Sequence, residues 1–89
     1  MSHPEAPKIE FPCEYPIKVV GLSAPDYQQL VLDIVQVHAP DLDFSRVSAR
    51  VSRNGKYCSV TVTIIATGEA QLAAIFEDLK ATGRVNMVL

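Results

Sequence analysis

The chain predicts one small α+β domain whose elements run β-α-β-β-α-β, and three observations carry that expectation. First, the residues on either side of Asn54-Gly55 match apolar with apolar and polar with polar when folded back on one another. Second, apolar residues recur at helical spacing after Pro25 and again after Thr67. Third, short alternating stretches at 15–20 and 85–89 supply a strand at each end of the domain. The chain has 89 residues, 48% of them apolar and 20% charged, the balance of a folded globular protein with room for one modest core.

Residues 1–14 hold Pro4, Pro7 and Pro12 among polar residues and are expected to form a mobile arm, with the domain proper at 15–89. Phe11 is the arm residue suited to pinning it against the core. Tyr15 to Val20 reads as a strand with Ile17 and Val19 on one face and Lys18 and Val20 on the other, closed by Gly21. Ser23-Ala24-Pro25-Asp26 has the form of a capping box. The helix behind it is expected to bury a stripe of Tyr27, Leu30, Val31, Ile34, Val37 and His38, and Pro40 ends it. Asn54-Gly55 predicts a two-residue type I′ turn. Its register sets Val51 opposite Cys58, Ala49 opposite Val60 and Val47 opposite Val62, all toward the core. Arg46, Ser48, Arg50, Ser59, Thr61 and Thr63 then face the other way. Thr67 is expected to cap a second helix that buries Leu72, Ile75, Phe76 and Leu79 and stops at Gly83. The last strand is expected to turn Val85, Met87 and Leu89 inward.

Right-handed crossovers and two amphipathic helices resolve this order into a ferredoxin-like sandwich. Its antiparallel sheet has the strand order 4-1-3-2, with both helices on one face and the other face open. The net charge is −2, yet no acidic residue lies between Phe44 and Gly68, where Arg46, Arg50, Arg53 and Lys56 fall. The open face is therefore expected to carry a basic surface of Lys18, Arg46, Arg50, Lys56, Tyr57, Ser59 and Thr61. The structural alternative is an ordinary solvated sheet face kept soluble by Arg and Thr.

Several chemistries hosted by this fold lack their residues here. Copper chaperones need two thiolates at C-x-x-C spacing before the first helix, whereas Cys13 and Cys58 stand far apart and are expected to be reduced packing residues. Acylphosphatases need an arginine in the same loop, and 21–26 holds no basic residue. His38 stands alone at a helix end, where it offsets the helix dipole, and His3 has no companion ligand. No Ser-His-Asp set, carboxylate pair or phosphate-cradling glycine loop can be assembled. No catalytic, cofactor or metal site is expected, and the protein is expected not to be an enzyme. RNA-recognition motifs share the topology but stack bases on aromatics of the central strands. Here Thr61 and Thr63 hold those places and Tyr57 lies at a strand's start, which disfavours nucleic acid. No apolar run approaches the ~20 residues of a membrane helix. The N-terminus lacks a basic start followed by an apolar stretch, so a cytoplasmic location without a membrane partner is expected.

A set of short motifs appears in a characteristic order: Phe11-Pro12, Ile17-Lys18-Val19-Val20-Gly21, His38-Ala39-Pro40, Gly55-Lys56-Tyr57 with Ser59-Val60-Thr61, Ala66-Thr67, and the ending Val85-Asn86-Met87-Val88-Leu89. Together they resemble the YbeD family of small bacterial proteins, from about Phe11 to the C-terminus. The resemblance implies a ferredoxin-like fold similar to the ACT regulatory domains, and a suggested link to the regulation of lipoate metabolism. ACT domains that bind amino acids place a glycine in the loop after the first strand. Leu22-Ser23-Ala24-Pro25 fills that loop here, so no binding residue is carried over from them.

The expected function is a non-enzymatic, ACT-like regulatory module acting through a protein partner or a small metabolite. Weak RNA or anion binding on the basic sheet face is the alternative. The last strand, 85–89, has no charged side chain and would lie at a sheet edge, with Val88 on the open face beside Val20. A homodimer through this strand or the adjacent open face is therefore expected.

Overall fold

The expected order of elements is the observed one. In the computed structural model, which describes residues 10–89, these are β1 (Cys13–Leu22), α1 (Tyr27–His38), β2 (Ser48–Val51), β3 (Tyr57–Ala66), α2 (Glu69–Ala81) and β4 (Val85–Val88). The four strands form one antiparallel sheet in the order β2-β3-β1-β4, the ferredoxin-like arrangement. Of the expected mobile arm over 1–14, residues 1–9 lie outside the described residues, and Cys13 and Glu14 belong to β1. Phe11 packs against the core, as expected. β1 is longer at both ends than the 15–20 read from the sequence, because β3 pairs with it from Cys13 opposite Ala66 to Leu22 opposite Tyr57.

The hairpin register is as expected from Ser48 to Val51, with Val51 opposite Cys58, Ala49 opposite Val60, Arg50 opposite Ser59 and Ser48 opposite Thr61. The expected Val47–Val62 pair is not part of it, because Val47 ends the 3₁₀ turn before β2. The turn differs. Only Gly55 has a positive φ, +75°, so the connection is not type I′, which needs two such residues. Ser52 C=O accepts from Gly55 N–H, and Ser52 N–H donates to Tyr57 C=O, closing a four-residue loop over residues 53–56. The Asn54 carboxamide oxygen holds that loop from within, accepting from Ser52 Oγ and Lys56 N–H. Arg46 is not in the sheet. The Asp43 carboxylate accepts from Ser45 N–H and Oγ–H, winding Phe44–Arg46 into a short 3₁₀ turn, and Arg46 swings to Glu14.

The core is the layer between the sheet and the two helices. β1 contributes Ile17 and Val19, and β3 contributes Cys58, Val60, Val62 and Ile64. Val51 and Ala49 point the same way but are exposed, because the helices pack principally over β1, β3 and β4 rather than over the β2 edge. On α2, Leu72, Ile75 and Leu79 are buried and Phe76 partly so, as expected. On α1 the buried stripe is Tyr27, Val31, Leu32 and Val35; Val37, expected inside, is 76% exposed. The run 30–37 is apolar on more than one side, so two stripes compete, and the i, i+4, i+8 row Tyr27, Val31 and Val35 meets the sheet.

Both helix starts depart from expectation. Asp26 is the N-cap of α1 without a side-chain cap bond, because its carboxylate is taken bidentately by Arg84 at 2.8 Å on each oxygen. A fork-to-fork ionic pair outcompetes a single bond to a helix N–H. Thr67 does not cap α2. Gln71 reaches back instead, its Oε1 accepting from Thr67 N–H and its Nε2 donating to His38 C=O at the end of α1. Gly83 ends α2 with φ +72°, as expected. In β4 the register slips by one residue between Val20 and Gly21: Val20 faces Met87, but Gly21 faces Val85. This bulge reverses the expected alternation. Val85 and Val88 pack against the core, while Met87 is 51% exposed beside Val20.

Candidate functional site

Alternate residues of all four strands form the open face of the sheet. β1 presents Lys18, Val20 and Leu22, β3 presents Tyr57, Ser59 and Thr61, and β2 presents Ser48 and Arg50. Met87 lies opposite Val20, and Leu89 exchanges both backbone hydrogen bonds with Lys18. The face therefore divides along its length. Val20, Leu22, Met87 and Leu89 make one half apolar, and the β2–β3 half carries cations and hydroxyls.

On that second half a concavity of about 410 Å³ opens between Lys18, Arg50, Arg53, Tyr57 and Ser59, with Val20 as its apolar wall and the end of β2 at Val51 and Ser52 as its edge. Four of the expected residues, Lys18, Arg50, Tyr57 and Ser59, are thus brought together. Thr61 is the next residue of the same row, paired with Lys18. Lys56 does not line the concavity; it stands over the Tyr57 ring, Nζ 5.3 Å from its centroid, in a cation–π contact. Arg46 does not join them; its partner is Glu14, away from the concavity.

Arg53 was not expected here. A two-residue turn would hold it in a closing pair with Lys56, whereas the four-residue loop releases it toward the concavity. Among the described residues, Lys18, Arg50, Arg53 and Lys56 have no carboxylate partner, while Arg46 and Arg84 are both ion-paired. Unpaired cations converging on one hollow produce a local positive potential in a chain that is acidic overall.

The other charged clusters are ties between elements. The Arg84 guanidinium hydrogen-bonds to Asp26, holding its carboxyl below the usual carboxylate range, and lies 5.9 Å from the Tyr27 ring centre. Burial pushes the Tyr27 hydroxyl's pKa up, and among the described residues that hydroxyl, enclosed beside Gly21, has no hydrogen-bond partner. His38, expected to stand alone, has its Nε2 2.6 Å from Asp78 Oδ2 and so ties the end of α1 to the third turn of α2. Cys58 is buried and Cys13 half-buried, both as free thiols. Among the described residues no three His, Cys, Asp or Glu side chains gather as metal ligands. No described helix is long and apolar enough to cross a membrane.

The chain is similar to several bacterial proteins. A UPF0250 protein of Azotobacter vinelandii is 59% identical over 86 residues, covering 96% of this chain and 94% of that relative. One from Hahella chejuensis is 52% identical over 88 residues, covering 99% and 97%. The solution structure of HP0495 from Helicobacter pylori superposes with a TM-score of 0.70, covering 100% of this chain and 98% of that one. At 17% identity, that likeness bears on the fold alone. The profile of the family described as "Protein of unknown function (DUF493)" matches residues 6–89. By that match and those relatives, the chain belongs to the DUF493, or UPF0250, family, to which YbeD also belongs.

Proposed function

We propose that the protein is a non-enzymatic, ACT-like regulatory module that works by binding an anionic small metabolite on the open face of its sheet. The observation that carries this reading is the convergence of Lys18, Arg50 and Arg53, none of them ion-paired among the described residues, around one hollow. Val20 beside them, with Leu22 next along the same face of β1, suits an apolar tail behind the anionic group. The link to lipoate metabolism implied by the family resemblance offers a first ligand with that chemistry, a carboxylate on an apolar chain.

Titration of the isotope-labelled protein with lipoate should shift the amide signals of Lys18, Arg50, Tyr57 and Ser59, and Lys18→Glu/Arg50→Glu should abolish the response. Shifts elsewhere on the domain would move the site, and no response at millimolar lipoate would remove this ligand. Single-stranded RNA competes for the same cations. RNA binding that weakens steeply with salt and disappears in the charge-reversed variant would replace the metabolite reading.

For assembly we propose a symmetric dimer through β4. It is a sheet edge without a charged side chain, and it adjoins the exposed Met87 and Leu89. Sedimentation equilibrium should show a dimer at micromolar concentration that Met87→Lys weakens. A monomer throughout the range would end this proposal, and a dimer untouched by Met87→Lys would place the interface elsewhere.

A further inference from the structure

A second concavity, of about 480 Å³, lies on the opposite side of the molecule between α1 and α2. Ile34, Val37 and Ala81 give it an apolar floor, and Asp33 and Asp78 stand on its rim. Gln71, near the start of α2, reaches the end of α1, while Ile34 and Ala81 share the groove, so the helices run antiparallel along it. Val37 is 76% exposed, and α1 is anchored without it by Tyr27, Val31, Leu32 and Val35. A branched apolar side chain displayed this way does nothing for the packing of its own helix and lowers its intrinsic stability.

Among the described residues, the charged side chains lining the groove are the carboxylates of Asp33 and Asp78, the second of them paired with the His38 imidazole. α1 contains no Lys or Arg, and Lys80, the single such residue of α2, is two positions from Asp78 and so points to the other side of that helix. Asp33 meets only the neutral Gln29 amide, and Asp78 meets His38. An apolar floor between two carboxylates complements a helix with an apolar stripe flanked by cations. The seam between two packed helices is also a place where the side-chain ridges of a third can seat.

We propose that this groove receives a short basic amphipathic helix of a partner protein. Its apolar side chains pack on Ile34, Val37 and Ala81, and its lysines or arginines meet Asp33 and Asp78. The proposal does not rest on the metabolite reading, because the sheet separates the two surfaces. A regulatory domain of this shape joins a metabolite on one face to a protein on the other.

The test is titration of the isotope-labelled full chain with a synthetic helical peptide carrying leucines at i, i+3, i+4 and i+7 and lysines elsewhere. A copy with glutamates in place of the lysines serves as control. Amide shifts should cluster at Asp33, Val37, Asp78 and Ala81, and the glutamate copy should not bind. Val37→Lys and, separately, Asp33→Asn should each weaken binding, the first by about tenfold through repulsion and lost apolar contact. Both residues are exposed, so the variants should keep the native thermal midpoint. Equal binding of the glutamate copy, shifts centred on the sheet face, unchanged affinity in Val37→Lys, or no binding at all would overturn the proposal.

Discussion

Val60→Asp should leave little folded protein, while Thr61→Asp, one residue along the same strand, should cost less than about 1 kcal/mol. Val60 is 0% exposed at the middle of β3, between Val19 of β1 and Ala49 of β2. A carboxylate there has no cation and no water, and its desolvation should cost about 4 kcal/mol or more. That is most of the stability of a domain this small, whose total lies at the lower end of the usual range of about 5–15 kcal/mol. Thr61 faces the opposite way and pairs with Lys18, so a carboxylate in its place gains a cation and keeps its water. Urea unfolding followed by circular dichroism gives both values. Similar midpoints for the two variants would mean that the sheet's faces are assigned the wrong way round.

Gly21→Ala should be the second most damaging change, by roughly 3 kcal/mol from overpacking. The cause is space rather than backbone freedom. A Cβ at Gly21 would fall on the Arg84 carbonyl oxygen and 2.5 Å from the Tyr27 hydroxyl. The first is backbone, and the second belongs to a ring that is fully buried, so neither can step aside cheaply. Moving Arg84 would also pull on its pair with Asp26, which ties the start of α1 to the segment entering β4. Gly68→Ala is the control. A Cβ there meets nothing within 4 Å, and φ 171° is extended backbone open to any residue. Thermal unfolding that ranks Gly21→Ala no worse than Gly68→Ala would refute the close approach.

The hairpin was legible because each apolar residue had to face another, and a slip by one would have turned every one of them outward. Lys18, Arg50, Tyr57 and Ser59 followed from that register. Arg53 did not, because its place depends on the turn, and the Asn54 side chain settles the turn through bonds that propensity does not weigh. The α1 face was legible only in part: Tyr27 and Val31 were expected inside and are, but Leu30, Ile34 and Val37 make as good a helical row as Tyr27, Val31 and Val35. The choice between those rows is made by the sheet. Asp26 had an adequate partner in its own helix until Arg84, distant in sequence, arrived with a better one. The bulge at Val20/Gly21 left no mark in the alternation of 85–89, and it is what exposes Met87.

The pairing of β1 with β3 has a consequence for how the protein comes into being. Cys13 meets Ala66 and Leu22 meets Tyr57, so the centre of the sheet joins two segments with α1 and β2 between them. A nascent chain cannot assemble that centre until β3 has been synthesised, and until then the apolar row of β1 waits without its partner. The β2–β3 hairpin is local and carries its own turn bonds, so it is the part of the sheet able to form first. Docking β1 onto it then closes a long loop, a step whose entropic cost slows folding in topologies built on distant pairs. During that interval Ile17 and Val19 are as accessible to a neighbouring chain as to their own, which makes synthesis, rather than the finished state, the moment of greatest exposure to misassembly.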